Sequence, residues 1–597
     1  MISTKRVQSV LVDNEKETAE FDWPLFKQFL RYLKPHLKGL VVMYALALIN
    51  VVSTVTIPVV LQIGIDRHIA EGDVGGLAVV SGVLIALLVV LYLSARGQGV
   101  LMVKIGYRVL YALRRDLFER LQYLSFRYFD KERAGKIMSR LTNDVQELEE
   151  LMRAGLDTIV VDAFMILGII VAMFTLDARL ALILLFTVPA FALLVFVLRS
   201  RILRAGRQIQ RKLGSVNAFL NESISGIKVI RAFAREEENG RMFREINGDY
   251  YDQTRRFYPL IAIFWQSVAT LSTIGPAMVL AGGGILLAQG TITLGVIAAF
   301  LTYINRFFQP MQKISNMLNQ LSRAMASTER IFEIINHEVD VDDAPDALRD
   351  VTIHGEVEFR HVWFAYEHDE YVGRDLSFHV SPGETVAFVG PTGAGKTTII
   401  NLICRFYDPV AGTVRVDGHD LRTIAQSTYR SQIAVVMQDT RIFSGTVIDN
   451  IRFSKPEATD EEVREVARRM SIHDMIESMP DGYYSEIGES GGSLSLGQKQ
   501  PLAFARALLR DPSILILDEA SSYLDSQTEE LVQKAMSELS RGRTTFVIAH
   551  RLATIRDADR IVVMEDGAIV ESGSHTELVR SGGAYARLLN TQYSVRT

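Results

Sequence analysis

The sequence predicts a multi-domain chain: an all-α membrane domain of six spanning helices, followed by an α/β domain organised round a phosphate-binding loop. Three observations carry this. Six apolar runs lie before residue 310, each approaching the roughly 20 residues that ~30 Å of hydrocarbon demands. Beyond about Val351, short β-rich runs alternate with amphipathic helices, the pattern of a layered α/β sheet. Within that second part Gly390–Thr397 reads GPTGAGKT, and LSLGQ follows at Leu494–Gln498.

A chain of 597 residues is too long for one domain. The net charge of −5 gives no pull toward nucleic acid, which is not expected as a partner. Mean hydropathy of +0.16 beside 22% charged residues is the average of one very apolar part and one soluble part. The single cysteine, Cys404, excludes an intrachain disulfide. Met1–Phe21 is polar, and the first apolar run begins only near Leu40, too deep for a cleavable signal.

The spans are placed near Leu40–Leu61, Leu77–Leu93, Ile159–Leu176, Leu180–Leu198, Leu260–Ala281 and Leu294–Phe308. The alternative, buried helices of a large soluble protein, fits poorly with six runs so poor in ionised residues. Lys27, Arg31, Lys34 and Lys38 precede the first span. Lys104, Arg108, Arg114, Arg115 and Arg120 lie between the second and third, and Arg199, Arg201, Arg204, Arg207 and Arg211 between the fourth and fifth. The positive-inside rule then places both termini and the second domain in the cytoplasm of a multi-pass protein of the cell (inner) membrane. Gln98–Ala154 and Arg199–Tyr258 read as helical extensions of the spans. Leu25–Leu37, opened by Pro24, has Phe26, Phe29, Leu30 and Leu33 at helical spacing and suits the membrane interface, or a solvated lead into the first span. Two ionisable residues fall within spans, Asp162 and Arg306, and such groups are functional candidates. Asp162 is a candidate for the substrate cavity; an interfacial position, with Arg306 snorkelling, is the alternative for both.

In the second domain, GPTGAGKT lies between a strand candidate, Glu384–Val389, and a helix candidate, Thr398–Phe406. Glycines there let backbone N–H groups converge on phosphate oxygens, and the helix start adds partial positive charge. Lys396 reaches the β- and γ-phosphates and Thr397 offers its hydroxyl to Mg²⁺. Further strand candidates are Val357–Phe364, Val414–Val416, Ile433–Met437, Ile514–Leu517, Thr545–Ile548 and Arg560–Met564.

The loop, LSLGQ and ILILDE at Ile514–Glu519 together resemble the nucleotide-binding domain of ATP-binding cassette (ABC) transporters. The resemblance implies ATP and Mg²⁺ as ligands. It implies an ATP-cradling set of Gly390, Pro391, Thr392, Gly393, Ala394, Gly395, Lys396, Thr397 and Thr398. Tyr366, in Phe359-x-x-Val362-x-Phe364-x-Tyr366, would stack on adenine, although aromatics in strands are usually core. Thr397, Gln438 (in VMQD) and Asp518 would serve the metal, with Gln438 also touching the attacking water. Glu519 would be the general base, and His550 (in VIAHR) would contact the γ-phosphate. Ser495, Gly497 and Gln498 would reach the nucleotide of a second chain, and Ser521–Asp525 would face that chain.

Two cytoplasmic stretches, Phe129–Val145 and Glu222–Phe233, resemble the family's contacts between membrane and ATPase domains. The implied organisation is a tail at 1–24, a type I exporter-like membrane domain at 25–320, a linker at 321–350, the nucleotide-binding domain at 351–590 and a second tail at 591–597. The implied activity is ATP hydrolysis coupled to export of amphipathic small molecules, drugs or lipids, by a dimer of half-transporters in the lipid bilayer. An ATP-gated channel, a regulatory membrane protein or a peptide exporter are the alternatives. Two residues depart from the family's LSGGQ-Q/R-Q pattern: Leu496 replaces a glycine, and Pro501 falls inside the following helix, where a proline costs ~3 kcal/mol unless the helix kinks. With Glu519 retained, this tilts the expectation slightly toward a heterodimer over a homodimer.

Overall fold

The computed structural model describes residues 23–593 apart from 155, 186, 368–369, 439, 489–490, 492–493, 519–525 and 550–551. It forms two units: Met1–Gln122 together with Ala134–His337, and Tyr123–Arg133 together with Glu338–Thr597.

The first unit is helical. In chain order its principal helices are α1 (Trp23–Arg31), α2 (Leu37–Ile63), α3 (Val74–Tyr123), α4 (Val145–Ala154), α5 (Leu156–Leu176), α6 (Ala178–Leu185), α7 (Thr187–Ser225), α8 (Glu236–Ala288) and α9 (Leu294–Ile335). In α1, Phe26 and Phe29 are buried, as the amphipathic spacing requires. The helices α2 and α3 are each long and apolar enough to cross a membrane; shorter apolar stretches occupy Val160–Leu176, Thr273–Ala288 and Leu294–Phe307. Because α3 has 50 residues and α8 has 53, each runs for about 75–80 Å, more than twice the hydrocarbon thickness. Apolar stretch and polar extension are therefore one uninterrupted helix, with no loop between them to expose unpaired backbone groups.

The core of this unit gathers Ile169 of α5, Leu180 of α6, Val279 of α8, and Phe300 and Tyr303 of α9. Several polar side chains of this unit are paired across helices. Asp144 is 6% exposed and accepts from Ser327 (2.9 Å) and the Arg330 Nε (2.9 Å), while buried Arg140 reaches Glu333 at 3.1 Å. Asp66 accepts from the Thr293 hydroxyl (2.5 Å) and the Gly295 amide (2.8 Å). It thereby supplies a side chain to the otherwise unsatisfied amides at the start of α9.

The second unit has a six-stranded sheet and a four-stranded sheet. With strands β1 (Val357–Ala365), β2 (Tyr371–Val380), β3 (Thr385–Val389), β4 (Ala411–Val416), β5 (His419–Asp420), β6 (Ile433–Val436), β7 (Gly445–Thr446), β8 (Glu486–Ile487), β9 (Ile514–Asp518), β10 (Thr544–Ile548), β11 (Arg560–Glu565) and β12 (Ala568–Gly573), the large sheet runs β12-β11-β3-β10-β9-β6. Strands β11, β3, β10, β9 and β6 are parallel and β12 is antiparallel. The antiparallel sheet is β2-β1-β4-β5.

Strand periodicity sorts the side chains of the large sheet between two cores. Ala387, Leu515, Leu517 and Val547 join one face with Val463, Leu502 and Leu539 from helices. Phe388, Ile514, Ile516 and Phe546 join the other, with Val357, Phe359 and Val414 of the antiparallel sheet. A parallel strand covered on both faces has no room for polar residues along its length, so its chemistry is confined to its ends.

Candidate active site

The register of the parallel strands puts the motif-bearing ends on one edge. Ile548 stands opposite Phe388 on one side and Asp518 on the other, and Val436 stands opposite Leu517. The loop leaving β3 at Gly390, the residue Asp518 closing β9, and Gln438 two residues past β6 thus leave the sheet at its carboxyl edge, where open α/β sheets bind ligands. Glu519, Ser521–Asp525 and His550 lie outside the described residues.

The phosphate loop is tight. A Cβ on Gly390 would stand 2.3 Å from the Met564 carbonyl oxygen, and one on Gly395 (φ +99°) 3.0 Å from that of Val372; only glycine fits both positions. The helix α10 (Lys396–Ile403) starts directly after the loop. Lys396, 7% exposed, donates from Nζ to the Gly390 and Pro391 carbonyls at 2.8 and 2.9 Å. Burial pulls its ammonium below the usual lysine range, and the charge of Asp518 partly offsets this. A desolvated cation at the mouth of an amide-rich loop is an electrostatic match for phosphate. The loop's Pro391, Thr392 and Gly393 are exposed, Ala394 is buried, and Thr397 is exposed while Thr398 is buried.

The donor set also suits Mg²⁺. Among the described residues no cluster of three or more His, Cys, Asp or Glu exists, but exposed Thr397, exposed Gln438 and half-buried Asp518 are the few hard oxygen donors that Mg²⁺ uses when phosphates and water complete its shell.

Tyr366 stands just past β1, half-buried. Its hydroxyl accepts from Asn401 Nδ2 at 3.0 Å and lies 3.3 Å from the Thr398 hydroxyl. Its ring meets Phe364 and Tyr407 edge-on, with centroids 4.8 and 5.2 Å away. The proposed base-stacking residue is therefore tied to the same helix that carries Lys396 and Thr397. Tyr407, buried at 4%, donates in turn to Asp130. Asp130 belongs to the short helix Phe126–Lys131, whose Phe126 packs on Phe406 at 4.1 Å, with the Arg430 guanidinium over the Phe406 ring. Sequence reasoning placed Asp130 in a contact stretch but missed Asn401, Phe406 and Tyr407, whose signal is purely spatial.

The LSLGQ segment opens α11 (Leu496–Arg510) with Ser495 as its N-cap. The Gln498 Oε1 accepts from the Ser495 amide at 2.9 Å, and the Ser495 carbonyl accepts from the Lys499 amide at 3.0 Å. Ser495 is exposed and Gly497 and Gln498 are half-buried. Pro501 is buried within α11, which continues through it; having no N–H, it offers nothing to the Gly497 carbonyl. Of the two ionisable residues in the apolar stretches, Asp162 is buried, and Arg306 donates from Nη1 to the Thr54 carbonyl at 2.8 Å.

Comparison with known proteins agrees with both units. Residues 40–311 match the ABC transporter transmembrane region and residues 374–522 the ABC transporter ATPase family. YknV, an uncharacterised ABC transporter ATP-binding protein of Bacillus subtilis, is 39% identical over 581 residues, covering 96% of this chain and 95% of that protein. A fatty acid ABC transporter ATP-binding/permease protein of Mycobacterium tuberculosis is 38% identical over 508 residues, 84% of this chain and 80% of its own. B. subtilis YgaD, provisionally named a multidrug export ATP-binding/permease protein, is 37% identical over 580 residues, 95% of this chain and 99% of its own. A solved bacterial Atm1-family ABC exporter with ATP bound superposes with a TM-score of 0.78 at 27% identity, over 93% of this chain and 98% of that one. The chain belongs to the ABC transporters: it is a membrane protein of the exporter type, in which a helical transmembrane domain is fused to an α/β ATPase domain that drives export with ATP.

Proposed function

We propose that the chain is one half of a dimeric pump that exports amphipathic small molecules from the cytoplasm, with both termini and the ATPase domain on the cytoplasmic side. The observation that carries the reading is the gathering of the phosphate loop, Asp518 and Gln438 on one sheet edge, on a chain whose other part is a membrane domain. The names of the mycobacterial and Bacillus relatives, fatty acid and multidrug transporters, support an amphipathic cargo.

In this reading Lys396 and the loop amides hold the β- and γ-phosphates, and Tyr366 supports the base. Mg²⁺, when bound, spreads the negative charge of the phosphates, with Thr397, Gln438 and Asp518 as its protein donors. Glu519 orients a water and takes its proton as the water oxygen attacks the γ-phosphorus and the bond to ADP breaks. His550 holds the γ-phosphate. Ser495, Gly497 and Gln498 complete the site of the opposite chain; the exposure of Ser495 at a helix start supports a role as an intermolecular donor. The contacts of Phe126 and Asp130 with Phe406 and Tyr407 support the transmission of nucleotide binding through the segment Tyr123–Arg133. Pro501 within α11 supports a heterodimer, in which a partner's signature faces Glu519.

The test is ATP turnover by the chain purified alone in lipid, with Glu519→Gln as control. Turnover that the substitution abolishes establishes the pump's ATPase and a homodimer. A folded chain that turns over only when a second half-transporter is added establishes the heterodimer. Turnover indifferent to Glu519 overturns the assignment.

A further inference from the structure

In its apolar first half the helix α9 carries four polar residues along one stripe. Thr302, Asn305, Arg306 and Gln309 follow the i, i+3, i+4, i+7 spacing of a single helical stripe. Asn305 and Gln309 are exposed and Thr302 and Arg306 half-buried, whereas Phe300, Tyr303, Ile304 and Phe307 on the other side are buried. The helix α8 repeats the arrangement with exposed Gln266, Thr270 and Thr273. Polar stripes on helices within a transmembrane region turn away from hydrocarbon, toward the bundle interior or a water-filled cavity.

Arg306 is the ionised member of the α9 stripe. It stands twelve residues past Leu294, the start of the helix, or about 18 Å along it, and so deep within a hydrocarbon layer of ~30 Å. A guanidinium at that depth is expensive unless it has a task. Part of its task is structural. Pro58 interrupts α2 and has no N–H for the carbonyl four residues earlier. That carbonyl, Thr54, is the one that accepts from Arg306 Nη1 at 2.8 Å, and the Tyr303 hydroxyl donates to the next one, Val55, at 2.5 Å. A neutral donor such as a hydroxyl would serve a freed carbonyl as well. The charge is surplus to that role, and a guanidinium has five N–H donors in all. Among the described residues Arg306 forms no ion pair with a carboxylate. Asn305 and Gln309 share its stripe, one residue before it and three after.

We infer that Arg306 is the anion-recognising residue of the transport pathway, and that the cargo is an amphiphile with one negatively charged head group. A carboxylate, phosphate or sulfonate accepts charge-assisted hydrogen bonds from the guanidinium, with Asn305 and Gln309 as neutral donors alongside. The inference rests on the export reading above and names its substrate class.

The test is equilibrium binding without ATP, in nanodiscs of zwitterionic phosphatidylcholine, with empty discs subtracted. Three probes share a twelve-carbon tail and differ in head charge: laurate, dodecanol and dodecyltrimethylammonium. The wild-type chain is expected to hold laurate roughly tenfold or more tighter than dodecanol, the scale of one charge-assisted contact. Arg306→Gln abolishes the preference and Arg306→Lys largely keeps it. Because Arg306→Gln also disturbs the bracing of α2, it is repeated with Pro58→Ala, which returns an N–H to the Thr54 carbonyl; the preference stays lost. Equal binding of laurate and dodecanol by the wild-type chain overturns the inference, as does a preference that survives Arg306→Gln or returns with Pro58→Ala. No hydrolysis is involved, so a missing laurate preference with Glu519-dependent turnover intact refutes only the inference. Turnover indifferent to Glu519 refutes the export reading instead.

Discussion

In the ATPase unit the polar groups stand at the ends of buried strands, Asp518 closing β9 and the phosphate loop leaving β3. In the membrane unit they cross from one helix to another: Arg306 to Thr54, Tyr303 to Val55, Asp66 to Thr293 and Gly295. The sheet satisfies its backbone through its own ladder, so its side chains are released at the edges and positioned by register. A membrane helix satisfies its own backbone except where a proline or a terminus breaks the pattern, and the missing partner must come from elsewhere. Here it comes from more than two hundred residues away, with separations of 252 for the Thr54 carbonyl and 229 for the Gly295 amide. Motifs therefore describe the ATPase unit and pairs describe the membrane unit.

Substitutions sharpen that contrast. The largest effect is expected at the sheet edge. Lys396→Ala removes the buried cation at the phosphate loop and lowers ATP turnover by roughly a hundredfold or more, the scale of losing a preorganised charge on a phosphoryl group. A variant retaining a third of the wild-type rate would break the comparison, because position on the edge would then not matter. Next comes the buried pair in the membrane unit. Asp144→Ala removes the acceptor shared by Arg330 and Ser327, and is expected to cost about 3 kcal/mol in unfolding free energy. The midpoint of thermal unfolding in lipid checks it, and an unchanged midpoint would show that a cross-helix pair can be dispensable.

The smallest effect belongs to an exposed pair. Glu462 accepts from the Thr459 amide at 2.7 Å and from Lys455 at 2.9 Å, and these contacts, the amide first, lower its carboxyl from 4.5 to about 2. A carboxylate whose folded value is depressed contributes stability above its unfolded value, near pH 4.5, and loses it as pH falls toward about 2. Glu462→Gln is expected to lower stability slightly at neutral pH and to flatten the acid limb across that window, so that the two proteins converge near about pH 2. An acid limb identical in the two proteins would remove Glu462 from the account.

The apolar runs and several β-rich strands were legible in sequence. Val357–Phe364 lies in β1 and Arg560–Met564 in β11. The strand β2 was not legible. Its YVGRDLSFHV carries a glycine and an Arg–Asp pair at the centre, and its burial is irregular because it forms the edge of the antiparallel sheet. The anchors of Tyr366 were hidden for another reason. Asn401 and Tyr407 follow it by 35 and 41 residues, in a helix and a loop whose own patterns do not point back to it. Arg306 was read as a functional candidate or an interfacial snorkeller, and its bond to the Thr54 carbonyl could not be read from sequence.

What the sequence determined by itself was local: apolar length, strand and helix periodicity, and the loop GPTGAGKT with LSLGQ and ILILDE behind it. These follow from covalent neighbours, because backbone reach and side-chain period are set within a few residues. What only the tertiary structure decided was which strand ends share an edge, which rings hold Tyr366, and which carbonyl receives Arg306. Those depend on the register of a sheet and on a proline in one helix facing a cation in another. No short stretch of chain contains both partners.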